Sequence, residues 1–352
     1  MTRRPPLPRP RLPHPRRRDR EQSSTTVTVS RVQQGDVYAR VSTIGASGER
    51  PFVLVPGIGV SSDYFERLAP NLNEYGPVHA LDLPGFAGVP HPGEAMSIRQ
   101  YADLVGAAID QLELHDPIVV GHSMGTQVVV DLAARRPELS TLVLIGPVVD
   151  PAQRRVVRQA RRFLHSAWHE PGRVKVLAVT AYLQCGVRWF SRILPAMMHY
   201  RIEDQLPLVQ ADTLVIRGEH DHVADRAWIE RIGRLMPHAR LWEMPHAAHS
   251  VMHAHANEVA KLCVAHAEHR LHDAGPAEVH QYDGAGPGDE REAFDPTLGD
   301  LVADVATRVQ QSVAVSRDDD EALGEAKTAH AEVMDRAYER AQDEADGATD
   351  TP

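Results

Sequence analysis

The chain has 352 residues, of which 42% are hydrophobic, and a formal net charge of -10. This length is enough for one large or two modest domains with a buried core. Most of the charge lies near the ends, because residues 1–20 contain eight Arg and one Asp, while residues 273–352 contain 21 acidic and six basic residues. The stretch between them, residues 21–272, is nearly neutral as a whole, so nucleic acid is not expected as a partner.

The two cysteines, Cys185 and Cys263, are far apart and lack the spacing of a metal or redox motif. This usage predicts no disulfide framework and fits a reducing compartment. No apolar run approaches the length of a membrane span, and no apolar segment of a signal peptide follows the N-terminal arginines. Together these features predict a cytoplasmic protein without a membrane span.

The chain opens with an Arg- and Pro-rich leader, residues 1–23, which is predicted to be disordered. From residue 24 onward, short apolar segments of strand length alternate with segments of helical spacing. Eight strands are predicted, at 25–32, 36–43, 51–55, 78–83, 117–120, 141–145, 213–217 and 239–244. The first two form a hairpin, and the alternation of the others requires a mostly parallel eight-stranded sheet covered by helices on both faces. The predicted fold class is therefore α/β.

One long segment, 151–208, interrupts this alternation and is helical in pattern. It predicts a helical cap inserted into a core formed by residues 24–150 and 209–270. An insertion over the loops of an active site makes a lid, so some of its large side chains are expected to line a substrate pocket. The candidates for this pocket are Trp168, Tyr182, Trp189 and Met197.

Beyond about residue 270 the pattern is lost, and residues 271–352 are predicted to be an acidic, largely disordered tail in which helices could form. Within it, residues 298–315 have helical spacing and could bind a protein partner.

The sequence Gly121-His122-Ser123-Met124-Gly125 lies between a predicted strand and a predicted helix. In that context, Gly-x-Ser-x-Gly is typical of a nucleophile elbow, a tight turn that exposes a serine at the end of a strand. The glycines fit because the backbones on either side of such a turn come close together. The helix that follows offers free N–H groups and the positive end of its dipole to a developing anion. The pattern predicts that Ser123 is a nucleophile.

A serine nucleophile needs a base within hydrogen-bond reach, usually His, and a carboxylate that orients the base. On this topology both follow later strands, the acid before the histidine. Asp221 is the favoured acid, on a loop just after a strand, and His249 is the favoured base, with a predicted helix behind it. The sequence leaves rivals open, Glu219 and Asp150 for the acid and His246 and His253 for the base.

An oxyanion hole needs two backbone N–H groups. One is expected from Met124, directly after the nucleophile, and the other from Ile58, in the loop after the third strand.

Across residues 24–270 the sequence resembles the α/β-hydrolase fold family. The resemblance rests on five motifs in order, at 53–59, 82–86, 121–125, 214–221 and at His249 with its helix. It implies a Ser123/Asp221/His249 triad and identifies residues 151–208 as the cap domain. A serine at the elbow, rather than an aspartate, argues against haloalkane dehalogenase or epoxide hydrolase chemistry.

The chain departs from the family pattern at three places. Many relatives have His-Gly where this chain has Pro56-Gly57, Ala248 replaces the usual Gly before the histidine, and no Glu-x-Pro follows His249. None of these departures removes a catalytic group.

No cofactor and no metal are expected. Gly57-Ile58-Gly59 matches a dinucleotide fingerprint only in part, since Ser62 stands at the third glycine. The histidines at 246, 249, 253 and 255 lack the glutamate of a zinc-helix motif.

The expected function is that of a serine hydrolase that cleaves a small to medium hydrophobic ester, lactone or thioester through an acyl-enzyme on Ser123. The same triad could instead hydrolyse a C–C bond in a diketone-like substrate or catalyse cofactor-free perhydrolysis. A third hypothesis is a non-catalytic binding module.

Overall fold

The computed structural model describes residues 26–45, 50–170, 172–271, 278–282 and 298–349. Within these residues nine strands form one sheet in the order β1-β2-β4-β3-β5-β6-β7-β8-β9. The strands are β1 (Val27–Gln34), β2 (Val37–Ile44), β3 (Phe52–Val55), β4 (Val78–Asp82), β5 (Ile118–His122), β6 (Thr141–Ile145), β7 (Asp212–Gly218), β8 (Ala239–Met244) and β9 (Val279–Gln281). The predicted leader, residues 1–23, lies outside the described residues.

The sheet is mostly parallel. Strands β1 and β2 form the expected antiparallel hairpin, β2 also pairs antiparallel with β4, and every other neighbouring pair is parallel. The α/β fold class is therefore confirmed, whereas the predicted number of eight strands is wrong. The additional strand, β9, has three residues with a single apolar side chain, Val279, and such a segment is too short to show a strand pattern.

Twelve α-helices accompany the strands within the described residues. They are α1 (Leu68–Asn73), α2 (Ile98–Gln111), α3 (Met124–Arg135), α4 (Val156–Trp168), α5 (Gly172–Cys185), α6 (Val187–His199), α7 (Ile202–Gln205), α8 (Arg226–Leu235), α9 (Val251–Ala254), α10 (Ala256–Ala267), α11 (Leu298–Ser316) and α12 (Asp320–Thr349). No helix among the described residues is long and apolar enough to cross a membrane.

Two hydrophobic cores lie on opposite faces of the sheet, because successive side chains of a strand point to opposite sides. In β3, Val53 and Val55 belong to one core, and Phe52 and Leu54 belong to the other. A strand buried on both faces carries apolar residues at consecutive positions, as β3 does.

Helices α4, α5, α6 and α7 lie between β6 and β7 in the chain, within the segment assigned to the cap. We use the name cap for residues 151–208.

The C-terminal region differs from the expectation of a largely disordered tail. Helices α11 and α12 pack against each other, and α12 also packs on β1. We call this pair of helices the C-terminal hairpin. One face of α11 exposes an apolar stripe, consisting of Val302, Val305, Val309 and Val313.

Ion pairs anchor the C-terminal hairpin to β2 and to the segment between β3 and β4. The buried guanidinium of Arg40 contacts Asp318 at 2.7 Å and Asp320 at 2.8 Å, at the start of α12. Farther along α12, Lys327 Nζ donates to Asp63 Oδ1 at 2.9 Å and to Ser62 Oγ at 2.7 Å. The sequence signal for disorder, an acidic segment poor in large apolar residues, missed these contacts because the hairpin's partners lie about 240 to 290 residues away in the chain.

Candidate active site

The nucleophile elbow is built by β5, Ser123 and α3. Ser123 has φ 54° and ψ -119°, a conformation that L-residues rarely adopt. A Cβ atom at Gly121 would lie 2.5 Å from the carbonyl oxygen of Gly125, and one at Gly125 would overlap the carbonyl oxygen of Val55. Both glycines are therefore required sterically, and the tight turn holds Ser123 in its strained backbone conformation at the strand's carboxyl end.

The acid and the base meet at the same edge of the sheet. His249 Nδ1 lies 2.8 Å from Asp221 Oδ2, and both side chains are buried. The other carboxylate oxygen of Asp221 accepts hydrogen bonds from the N–H groups of Val223, at 2.8 Å, and Ala224, at 3.0 Å. With Nδ1 donating to Asp221, the neutral imidazole keeps Nε2 free to accept a proton.

The rival residues have other partners. Asp150 accepts from the N–H of Ala152 and caps a short turn. Glu219 is exposed and accepts from the N–H of His246. His253 lies 3.4 Å from Glu66, which also binds Arg308 of the C-terminal hairpin. The structure therefore brings Asp221 to His249 and directs these rivals elsewhere.

Contacts made by Ser123 and by residues around it place the serine beside Asp221 and His249. The Ser123 N–H donates to Ile145 O at 3.0 Å, and a Cβ at the next residue, Gly146, would come within 3.0 Å of the His249 ring. The ring of His122 lies 5.0 Å from the ring of His249. Within the described residues no hydrogen bond joins Ser123 Oγ to His249, and such bonds are often long in unliganded enzymes and tighten when substrate binds.

Electrostatics favours the charged carboxylate and a basic imidazole. Burial alone would raise the pKa of Asp221, but His249, the N–H of Ala224 and Arg217 together hold it below its usual value. Burial likewise works to lower the pKa of His249, but Asp221 and Glu170 raise it above the usual value. A carboxylate that stays ionised beside a base of raised pKa is the arrangement that proton transfer from a serine requires.

His122 has the opposite electrostatics. Burial, together with His249, lowers the pKa of His122 to about 3, so this ring is neutral near pH 7. It stacks on Tyr64 with 5.8 Å between ring centroids. We assign it a packing role behind the nucleophile.

The two predicted oxyanion donors lie next to the nucleophile. A Cβ at Gly57 would lie 3.1 Å from Ser123 Cβ, so the loop with Ile58 passes directly beside the serine. Met124 is the first residue of α3, where N–H groups have no intrahelical partner. The loop is held from behind, since Asp82 Oδ1 accepts from the N–H of Ser62 at 2.6 Å.

The four predicted pocket residues have different surroundings. A Cβ at Gly59 would lie 3.0 Å from the Tyr182 ring, so this cap residue packs on the loop that carries Ile58. Trp189 is buried, stacks on His91 at 4.8 Å and closely covers Gly85, while Met197 is buried and its carbonyl accepts from Gln127. Trp168 is 82% exposed, so the prediction that it encloses a pocket is wrong.

Sequence reasoning missed Glu170. This buried cap residue accepts from the N–H of Ser250 through Oε1 at 2.7 Å, while its Oε2 has no hydrogen-bond partner among the described residues. Burial raises the pKa of Glu170, and its charge acts on His249. The sequence does set Glu170 apart in one respect, because it is the single acidic residue between positions 151 and 200.

Comparison with known proteins agrees with the fold. The sequence profile of the Alpha/beta hydrolase family matches residues 52–262. The chain belongs to this family.

Two relatives and one solved structure illustrate the similarity. A protein of Mycobacterium phage D29, named provisionally as a non-heme haloperoxidase, is 33% identical over 98 residues, 28% of this chain and 34% of that protein. Pimeloyl-[acyl-carrier protein] methyl ester esterase of Neisseria meningitidis serogroup A is 25% identical over 235 residues, 59% of this chain and 74% of that enzyme. The meta-cleavage product hydrolase of Pseudomonas fluorescens IP01 has a TM-score of 0.56 at 19% identity, covering 69% of this chain and 99% of that one. The match to the phage protein thus spans about a third of its length, and the structural likeness shows the fold alone.

Proposed function

We propose that this chain is a serine hydrolase that cleaves a small to medium hydrophobic ester, lactone or thioester. The observation that carries the proposal is the strained Ser123 elbow at the same sheet edge as the 2.8 Å contact between His249 and Asp221. A serine in this position has both a base and an orienting carboxylate, which is the requirement for nucleophilic catalysis.

The proposed reaction begins at the serine. Ser123 Oγ attacks the substrate carbonyl carbon while His249 Nε2 takes the hydroxyl proton, and Asp221 stabilises the imidazolium that forms. The N–H groups of Ile58 and Met124 hold the tetrahedral oxyanion, and losing one such donor typically costs about 3–4 kcal/mol. When the bond to the leaving group breaks, His249 returns the proton to the departing alcohol or thiol.

Deacylation repeats these steps with water. A water molecule gives a proton to His249 Nε2 and attacks the acyl carbon, and the bond to Ser123 Oγ then breaks as the proton returns to the serine. The products are a carboxylic acid and the free enzyme.

The aromatic side chains of the cap support an apolar substrate, and one relative indicates which ester to test first. Tyr182 and Phe190 from the cap pack on Gly59, the residue after Ile58, so aromatic carbon borders the site. The Neisseria relative is named as a methyl ester esterase, which motivates placing methyl esters first among candidate substrates.

Fluorophosphonate labelling tests the nucleophile. Wild-type protein should be labelled covalently, Ser123→Ala should not, and Ser191→Ala is the control because Ser191 is exposed on α6. Equal labelling of Ser123→Ala and wild type would rule out this nucleophile. An unlabelled wild type would favour a non-catalytic binding module.

Hydrolysis of p-nitrophenyl acetate tests the acid. Asp221→Asn should lower kcat by about 10⁴-fold, because an amide would favour the wrong tautomer of His249. Asp150→Asn should retain most activity, since Asp150 caps a turn. The reverse pattern would move the acid to Asp150.

A substrate panel identifies the bond cleaved, with Ser123→Ala as the background control. It should contain methyl esters, thioesters, lactones and a C–C diketone, together with hydrogen peroxide as an alternative acyl acceptor. Peroxide is included because the phage relative is named for haloperoxidase chemistry. Turnover of the diketone alone would replace the ester proposal with C–C hydrolysis.

A further inference from the structure

The cap and the loop that carries Asp221 meet at a group of histidines. We call residues 219–225, between β7 and α8, the acid loop. Asp221 is flanked there by His220 and His222. From the cap, His165 lies in the last turn of α4 and His169 is its C-cap residue, so these two side chains, four residues apart, share one face.

Helix α4 is docked on the acid loop by polar contacts. Arg162 Nη1 donates to His222 O at 2.8 Å and to Asp225 Oδ2 at 2.6 Å. In the other direction, the N–H of His222 donates to Ser166 Oγ at 2.9 Å. The backbone of His222 is therefore fixed against the face of α4 that presents the two histidines.

The three imidazoles converge. The rings of His165 and His222 stack with 3.9 Å between centroids, His165 and His169 are 5.7 Å apart, and His169 and His222 are 6.0 Å apart. One ring nitrogen from each lies within 4.8 Å of those of the other two. His165 and His169 are exposed and His222 is half-buried, so an ion can reach them from solvent.

We propose that His165, His169 and His222 form a binding site for a divalent transition-metal ion with the preferences of Zn²⁺. Imidazole nitrogen suits zinc, which binds it at about 2.0–2.1 Å, so tetrahedral ligands lie about 3.3 Å apart. His165 and His222 stack with 4° between their ring planes, so coordination requires the exposed His165 ring to turn out of the stack until its nitrogen and those of His169 and His222 face one ion. Three protein ligands leave a fourth position for water.

One ligand is oriented by a bond of the kind that metal-binding histidines make. His169 Nδ1 lies 3.2 Å from the backbone carbonyl of His165, so this nitrogen donates and Nε2 is left as the electron-pair donor. Metal-binding histidines usually use their second ring nitrogen in this way.

A neighbouring group, Glu219, His220 and His246, has similar spacing. It is the weaker candidate because the Glu219 carboxylate already accepts from the N–H of His246. It also contains no cap residue. An ion on the three-histidine site would instead join the cap to the acid loop, one residue from Asp221, and hold the two together.

The test uses the full chain, treated with chelator and then titrated with ZnCl₂ by calorimetry. We expect one zinc ion per chain at this site, and binding about tenfold or more weaker in His165→Ala, His169→Ala and His222→Ala. Zinc should also raise the Tm of the wild type but not of His222→Ala, since a ligand of the folded state stabilises it. Co²⁺ in place of zinc should give the visible absorption of a low-coordinate site.

Matched controls are His199→Ala and His238→Ala, which remove exposed histidines elsewhere and should bind zinc as the wild type does. Unchanged binding in the three site variants would overturn the proposal. Loss of binding in His220→Ala or His246→Ala alone would also overturn it, because the ion would then occupy the neighbouring group. These readouts need no turnover, so they stand or fall independently of the proposed hydrolase activity.

Discussion

The cap and the C-terminal hairpin are two additions to the same sheet, and they approach the loop that carries Ile58 by different chemistry. Near the loop that carries Ile58 the cap makes mainly apolar contacts, such as Tyr182 on Gly59 and Trp189 on Gly85. The hairpin reaches the residues that follow this loop through ion pairs, with Lys327 on Asp63 and Arg308 on Glu66. The two additions meet at a cavity of about 330 Å³, lined by residues that include Leu177, Ala181, Arg308 and Lys327.

This difference has a consequence for motion. Apolar contacts are non-directional, so an apolar surface can shift and repack in small steps. Ion pairs with buried carboxylates are directional, and separating them leaves charges without partners at a high cost. We therefore expect the aromatic part of the cap, around Tyr182 and Trp189, to shift when substrate enters. Helix α4, which Arg162 ties to the acid loop, and the C-terminal hairpin should keep their positions on the sheet.

Among the charged groups that hold these two additions in place, Lys327 is expected to give the largest effect when it is replaced by Met. Burial lowers the pKa of Lys327, but Asp63 and Asp82 raise it above its usual value, so the charged pair is favoured in the folded chain. Removing the ammonium leaves two carboxylates unpaired, one of them almost fully buried, which should cost about 3 kcal/mol in the free energy of unfolding. Urea denaturation measures this loss.

Arg336→Met is the matched control on α12. Arg336 is exposed, and its pair with Glu332 has a separation of 3.8 Å, so the change should stay within about 0.5 kcal/mol. Equal stability of the two variants would contradict the anchoring role assigned to the hairpin's ion pairs.

A smaller effect, on the pH profile, is expected from Glu170→Gln. Burial works to lower the pKa of His249, while Asp221 and then Glu170 raise it. His249 must be neutral to accept the serine proton, so kcat/KM rises with pH as this ring loses its proton. Glutamine keeps an oxygen for the Ser250 N–H but removes the charge, so the acid limb should move to lower pH.

The control for Glu170 is Glu203→Gln. Glu203 is another cap carboxylate, but it pairs with Arg154. Both variants are assayed with chelator present, so that zinc does not contribute. An unshifted acid limb in Glu170→Gln would show that this carboxylate does not act on His249.

The sequence predicted what local pattern encodes. The elbow at Ser123 was readable because two glycines, an apolar strand and a helix stand in one short stretch. Glu170 and the histidines at 165, 169 and 222 were not readable as a group, because the docking of α4 on the acid loop sets their positions. No local spacing relates residue 165 to residue 222.

The same limit explains the C-terminal hairpin. Its composition is that of a solvated tail, and its order depends on distant partners such as Glu66 and Asp63. Composition measures how much apolar surface a segment can bury, and it does not register ion pairs with another part of the chain.

The smallest expected effect separates two tryptophans of the cap. Trp168 is 82% exposed and Trp189 is 2% exposed, although both stood in the sequence as pocket candidates. Trp168→Ala should change the free energy of unfolding by no more than about 0.5 kcal/mol, since little apolar surface returns to water. Trp189→Ala is the comparison, and it should cost about 3–5 kcal/mol because it empties a packed position beside Gly85 and His91. Thermal and urea unfolding measure both, and a large loss with Trp168→Ala would mean that the cap buries this residue against another surface.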